Sequence, residues 1–120
     1  MNANARKWIE ALRGGEYAQT RHTLRDERGF CCLGVGCDLY GLATQTPWQK
    51  DIGGFSFDGE DDQLPDRVSR WLGLNDTSGA YGEDGGISAL IWENDNGRSS
   101  DDIASLIESA LAGLFESPPE

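Results

Sequence analysis

Residues 29–42 read GFCCLGVGCDLYGL, and this stretch places the strongest constraint on the fold. From Cys32 to Leu42 apolar residues recur at the spacing of one helical face, which predicts a helix. Gly34 and Gly36 lie inside it, although each glycine costs about 1 kcal/mol relative to alanine in a helix interior. We therefore expect another part of the chain to approach the helix closely at these two positions.

Upstream of this helix the sequence predicts two further elements. Apolar residues recur at helical spacing over residues 5–12, with Asn2 or Asn4 available as the N-cap, and the helix ends at Gly14-Gly15. Loose alternation and a turn-like Asp-Glu-Arg-Gly sequence then predict a small β-hairpin near residues 18–33.

Downstream, three helices are predicted after an irregular segment. Residues 43–63 are interrupted by proline and glycines and predict a loop with at most one short strand. A helix follows over residues 64–72, and the short apolar stretch 87–93 favours a further helix. The last amphipathic helix begins at Ser99 or Ser100 and continues to Leu114.

These elements together predict an α+β fold: a mainly helical single domain of about four helices with one small hairpin. The globular domain is expected to span residues 1–116, followed by a short tail at 117–120. Three of the four tryptophans lie on apolar faces and are expected in the core, whereas Trp48, in the predicted loop, is expected to be the exposed one.

The charge of the chain limits the classes of function. Its 120 residues include 21 acidic and 10 basic ones, a net charge of -11, which argues against nucleic acid or an anionic membrane as a direct ligand. The negative charge is unevenly distributed: residues 1–50 have a net charge of +2, and residues 51–120 have a net charge of -13. No run of 18 apolar residues and no signal-peptide core is present, so we expect a cytoplasmic protein without membrane contact.

The three cysteines are the first candidates for a chemical site. Cys31, Cys32 and Cys37 follow no zinc-ligand spacing, and the only histidine is His22. The sequence therefore predicts buried, reduced thiols, no metal and no cofactor. The alternative is a nucleophilic Cys37 with His22 as its base, which requires the two residues to meet in the fold.

Clusters of carboxylates are the second candidates. Such clusters occur at residues 58–62, 83–84 and 93–96, but none fits the spacing of an EF-hand calcium loop. Gly34-Val35-Gly36 lacks the third glycine and the lysine of a phosphate-binding loop. No catalytic residue is assigned, and the chain is expected to act without being an enzyme.

Several phrases of the chain resemble a family of short, uncharacterised bacteriophage and prophage proteins. The family pattern is KWxxALRxGxYxQ … CCLGVxCD … LP … WxGL … ND. It is matched here by the residues KWIEALRGGEYAQ (7–19), CCLGVGCD (31–38), LP (64–65), WLGL (71–74) and ND (94–95). The resemblance implies a mobile-element setting inside a bacterial host, and it implies no catalytic residue.

Small acidic phage proteins without enzyme motifs act by binding, and carboxylates can imitate the phosphates of DNA. The leading hypothesis is therefore an anti-CRISPR-like inhibitor of a host defence or nucleic-acid-binding complex, acting as a DNA mimic on a host or phage protein with a basic surface. Its acidic face is assigned to six residues: Asp58, Glu60, Asp61, Asp62, Glu83 and Asp84. The rival hypothesis is a phage housekeeping or structural protein whose acidity only aids solvation and which would form a homodimer through a tryptophan-bearing surface.

Overall fold

The computed structural model describes residues 2–52, 54–81, 88–109 and 114–115, which form helices and two small antiparallel sheets. The elements in chain order are α1 (Ala3–Arg13), α2 (Cys32–Thr44), β1 (Gln49–Asp51), β2 (Gly54–Ser56), α3 (Asp66–Leu72), β3 (Ala80–Tyr81), β4 (Ser88–Ala89), α4 (Leu90–Asp95) and α5 (Ser100–Glu108). The predicted fold class, a mainly helical α+β domain, is confirmed. The predicted tail at 117–120 lies outside the described residues.

Helix α1 has the ends and the buried face that its sequence predicts. The Asn2 side chain accepts a hydrogen bond from the Ala5 N–H at 2.8 Å, and Gly14 is the C-cap. Its apolar face packs against α2, α3 and α5. The fully buried Trp8 donates its indole N–H to the Cys32 carbonyl oxygen at 2.8 Å, which ties α1 to the first turn of α2.

Helix α2 lies in the core, and its first half is buried on every side. A Cβ atom at Gly34 would lie 1.8 Å from the Leu24 carbonyl oxygen, so only glycine admits the backbone that crosses the helix there. At Gly36 a Cβ would lie 2.9 Å from Leu72 Cδ1 of α3. The close approach of another backbone is confirmed at Gly34, whereas at Gly36 the neighbouring atoms belong to side chains.

The segment between α1 and α2 forms isolated β-bridges. Phe30 donates its N–H to the Ala18 carbonyl and accepts from the Thr20 N–H, in a parallel bridge with Gln19, and it also forms an antiparallel bridge with Arg25. Each of these bridges is isolated, so no continuous ladder forms between α1 and α2. The pairing predicted near residues 18–33 is therefore present as bridges, and the regular hairpin lies further along the chain.

That regular hairpin is formed by β1 and β2, in which Lys50 is opposite Phe55. Two strands thus lie in the segment for which at most one was predicted, because strands of three residues are too short to show a clear periodicity. The Arg25 guanidinium lies 4.2 Å from the Phe55 ring centroid, 4.9 Å from that of Phe30 and 5.4 Å from that of Trp48. These cation–π contacts hold the hairpin against the 18–30 loop.

The later helices follow the predicted signals. Helix α3 ends at Gly73 in the left-handed conformation, with φ +79°. The Ser99 side chain caps α5 by accepting from the Asp102 N–H at 3.1 Å. Within the stretch 87–93, predicted as helix, residues 88–89 form β4 and residues 90–93 begin α4, and residue 87 lies outside the described residues. Helix α5 ends at Glu108, with Ser109 as its C-cap, and Leu114 lies in a turn, so the predicted continuation of the helix to Leu114 is wrong. Residues 110 and 111 of its predicted apolar face lie outside the described residues.

Two tryptophan predictions are wrong. Trp48 is partly buried, with its ring 5.1 Å from that of Phe57. Trp92 is 57% exposed, because α4 buries Leu90 and Asn94 at i and i+4 and a side chain between them points away from the core. No helix among the described residues is long and apolar enough to cross a bilayer.

Candidate functional site

The three cysteines are free and buried, as predicted. The Cys31 sulfur caps α2 by accepting from the Gly34 N–H at 3.3 Å. Burial raises the pKa of the Cys31 thiol to about 11, and it also raises the pKa values of Cys32 and Cys37. A thiol must ionise to act as a nucleophile, so these sulfurs have the properties of core side chains.

The proposed partner of Cys37, His22, lies in a different environment. His22 is exposed at the surface, its backbone N–H donates to Asp95 Oδ1 at 2.7 Å, and its ring Nδ1 lies 3.7 Å from Asp95 Oδ2. Cys37 is completely buried in α2, whereas 78% of the His22 side chain is exposed. Cys37 therefore does not meet the requirements of a nucleophile, namely ionisation and access to substrate.

The carboxylate cluster at residues 93–96 serves the fold. The buried Asn94 accepts from Gln19 Nε2 at 2.9 Å and from the Cys32 N–H at 3.1 Å, and it donates to the Thr20 carbonyl at 2.8 Å. The Asp95 carboxylate accepts a hydrogen bond from the His22 backbone N–H. Asn94 thus joins α4 to the 19–20 segment and to the start of α2, a role for which sequence periodicity gives no signal. Within the described part of the chain, no group of three or more His, Cys, Asp or Glu side chains is placed to hold a metal ion.

The acidic loop, defined here as residues 58–62, is the remaining candidate. Asp58, Asp61 and Asp62 are exposed and Glu60 is partly buried. The structure therefore places the first four predicted site residues on one short surface loop. The other two, Glu83 and Asp84, lie outside the described residues.

Backbone hydrogen bonds fix the acidic loop at both ends. Phe57 and Glu60 exchange two bonds, of 2.8 and 3.0 Å, around a turn in which Gly59 has φ +87°. The Asp61 carbonyl accepts from the Leu24 N–H at 2.6 Å and from Thr23 Oγ1 at 2.9 Å. Because Phe57 and Leu24 are completely buried, these bonds anchor the loop to the core and limit the positions of its carboxylates.

The four carboxylates differ in their partners. Arg67 Nε lies 3.1 Å from Asp58 Oδ2, and Gln63 Nε2 donates to Glu60 Oε2 at 3.2 Å. The side-chain carboxylates of Asp61 and Asp62 accept no hydrogen bond from the residues that the structure describes. With Arg67 included, the loop has a net charge of -3, and its last two carboxylates are open to an external cation.

The Asp38 carboxylate forms a part-buried polar cluster with Tyr17 and Trp48. Tyr17 donates its hydroxyl to Asp38 Oδ2 at 2.6 Å, and Trp48 donates its indole N–H to Asp38 Oδ1 at 3.1 Å. Burial, followed by the Asp38 carboxylate, raises the pKa of the Tyr17 phenol. Both oxygens of Asp38 are therefore occupied, and the group orients two aromatic rings instead of facing a substrate.

The fold and this surface define a small α+β protein in which the described thiols are buried and an acidic loop is fixed in place. The chain belongs to the family described as Domain of unknown function (DUF8296), whose model matches residues 1–111. No curated protein and no solved structure matches the chain.

Proposed function

We propose that this protein acts by binding, and that the acidic loop engages a basic, nucleic-acid-binding surface of a host or phage protein. The observation that carries the proposal is the anchored geometry of the loop, with exposed Asp61 and Asp62 carboxylates on a backbone hydrogen-bonded to buried residues. A fixed array of negative charge loses little conformational freedom when it binds, and it can occupy sites that otherwise hold phosphates.

In this proposal the protein is an anti-CRISPR-like inhibitor in the cytoplasm of a bacterial host. Its partner is a defence complex or another nucleic-acid-binding protein, and it competes with the nucleic acid for the basic channel. The charge distribution supports this interpretation, since residues 51–120 have a balance of -13. The buried thiols are consistent with a role that involves no covalent chemistry.

The test is affinity capture from bacterial lysate with three forms of the protein. The wild type is compared with a loop variant in which the four described loop carboxylates are neutralised: Asp58→Asn, Glu60→Gln, Asp61→Asn and Asp62→Asn. A control variant loses four exposed carboxylates elsewhere: Glu10→Gln, Glu16→Gln, Asp101→Asn and Asp102→Asn. Urea unfolding of each form checks that the fold is retained.

We expect the wild type and the control variant to retain one stoichiometric nucleoprotein partner at about 0.1 M salt and to release it as the salt is raised. The loop variant should lose that partner. Equal capture by all three forms, insensitive to salt, would eliminate the mimicry proposal. The rival function, a housekeeping or structural interaction protein, is favoured by the internal partners of Asp58 and Glu60, and it predicts no basic partner for any form.

A further inference from the structure

One short segment contacts the acidic loop and the strand before it from three successive positions. Thr23 Oγ1 and the Leu24 N–H both donate to the carbonyl oxygen of Asp61, at 2.9 and 2.6 Å. Arg25 reaches β2, the strand that leads into the loop, since its guanidinium lies 4.2 Å from the centroid of the Phe55 ring. The acidic loop is therefore held on both of its sides from a single place.

The bond from Thr23 contributes more to the position of the loop than to the stability of the fold. It lies at an exposed site, where water can replace either group, so it adds little to the free energy of unfolding. Its effect is geometric, because two donors on one carbonyl oxygen fix the orientation of the backbone. The exposed Asp61 and Asp62 carboxylates project from this part of the backbone.

Arg25 restricts the strand on the other side of the loop. Its guanidinium also lies 5.4 Å from the centroid of the Trp48 ring. Trp48 is fixed in turn, because its indole N–H donates to Asp38 at 3.1 Å and its ring lies 5.1 Å from that of Phe57. Arg25 thus connects Phe55 of β2 to an aromatic ring that α2 already holds in place.

We propose that Thr23 and Arg25 are positioning residues for the acidic loop, and that they raise its affinity for a basic partner by restricting the loop before it binds. This inference rests on the proposed function. A carboxylate that is already held in place loses less conformational freedom on binding. Each side chain that must instead be immobilised by the partner raises Kd by about two- to tenfold.

The effect of Arg25 on position can be separated from the effect of its charge, because the two have opposite signs. Arg25→Gln makes the chain more negative, so electrostatics alone predicts tighter binding to a basic partner. Loss of positioning predicts a Kd about ten times higher. The matched control is Arg28→Gln, which removes the same charge from an exposed residue of the same segment and leaves the aromatic contacts of Arg25 intact. It should bind at least as tightly as the wild type.

Thr23 is tested without any change of charge. Thr23→Val keeps the shape of the side chain and removes the donor to Asp61, and it should raise the Kd for the partner about fivefold. Thr23→Ser keeps the hydroxyl and should bind as the wild type does. Urea unfolding of each form checks that the fold is retained. Thr23→Val and Arg25→Gln are called the positioning variants below.

Amide hydrogen exchange followed by NMR tests the positioning without a partner. The Leu24 N–H reports on the bond to Asp61, whereas the Val35 N–H, bonded to the Cys31 carbonyl at 3.1 Å, reports on the core. Each positioning variant should lower the protection of the Leu24 amide at least about fivefold more than that of the Val35 amide. An equal change at the two amides, or no change, would overturn the positioning role.

The outcomes also separate this inference from the proposed function. If neutralising the loop carboxylates abolishes capture of the partner but the positioning variants bind as tightly as the wild type, the loop is the binding site and the inference is wrong. If no form captures a basic partner, the proposed function fails, and the exchange result alone decides whether Thr23 and Arg25 restrict the loop.

Discussion

Substitution of Gly34 by alanine tests the packing around α2 most sharply. The added Cβ would lie 1.8 Å from the Leu24 carbonyl oxygen, whereas ordinary contacts begin near 3.4 Å, so the two backbones must separate by about 1.6 Å. That separation breaks the 3.0 Å hydrogen bond from the Cys31 N–H to the same oxygen. It also pushes the fully buried Leu24 out of its place.

The expected cost follows from these contacts. Overpacking of a core costs about 1–3 kcal/mol, and a buried N–H left without a partner costs about 1–3 kcal/mol more. Alanine returns about 1 kcal/mol through its higher helix propensity. We therefore expect Gly34→Ala to lower the free energy of unfolding by about 3 kcal/mol, which corresponds to a fall of about 12 °C in Tm for a chain of this size.

The assay is urea unfolding followed by circular dichroism, with Gly36→Ala as the matched control. Both glycines lie in α2, so the gain in helix propensity is the same. At Gly36 the obstacle is only the flexible end of Leu72, 2.9 Å away, and the net change should stay within about 1 kcal/mol. A Gly34→Ala protein as stable as Gly36→Ala would refute the close approach of the Leu24 backbone.

Three further outcomes are expected. Asn94→Ala should lower the free energy of unfolding by about 2–4 kcal/mol in the same assay, because it leaves buried hydrogen-bonding groups unpaired; a loss below about 1 kcal/mol would contradict its role. The three buried thiols should react with a disulfide reagent at pH 8 only after urea unfolding, and rapid reaction of the native protein would contradict their raised pKa values. The Thr20 hydroxyl lowers the pKa of Asp26 in the folded state, so this carboxylate stabilises the fold above its unfolded pKa and loses that effect as the pH falls through the lower folded value. The urea concentration at the midpoint of unfolding should therefore fall less steeply between pH 7 and pH 2 in Thr20→Val than in the wild type. The same dependence on pH in both proteins would contradict the role of Thr20.

Much of the fold can be predicted from local signals. The cap at Asn2, the stop at Gly14 and the cap at Ser99 are short-range features, and each lies where the sequence indicates. The glycines of α2 were informative because glycine inside a helix is costly unless another group needs the space. Their partners, Leu24 and Leu72, are distant in sequence and could not be named in advance.

The remaining features depend on tertiary contacts that no local pattern records. The hairpin at residues 49–56 has strands of three residues and is held by Arg25 from another loop. Trp48 was expected at the surface because of its neighbouring proline, but the Asp38 carboxylate and the Phe57 ring draw it inward. The negative charge of the acidic loop can be read directly from its sequence. Its anchoring cannot, because the hydrogen bonds to the Asp61 carbonyl come from Leu24 and Thr23, over thirty residues earlier in the chain.

The most direct test of binding through the acidic loop is a competition titration on the captured partner. The partner's affinity for its nucleic acid is measured with increasing amounts of each form at about 0.1 M and about 0.3 M salt. The wild type and the control variant should displace the nucleic acid, less effectively at the higher salt, and the loop variant should need at least about ten times more protein. Displacement by the loop variant at wild-type concentrations, unchanged by salt, would contradict the central claim.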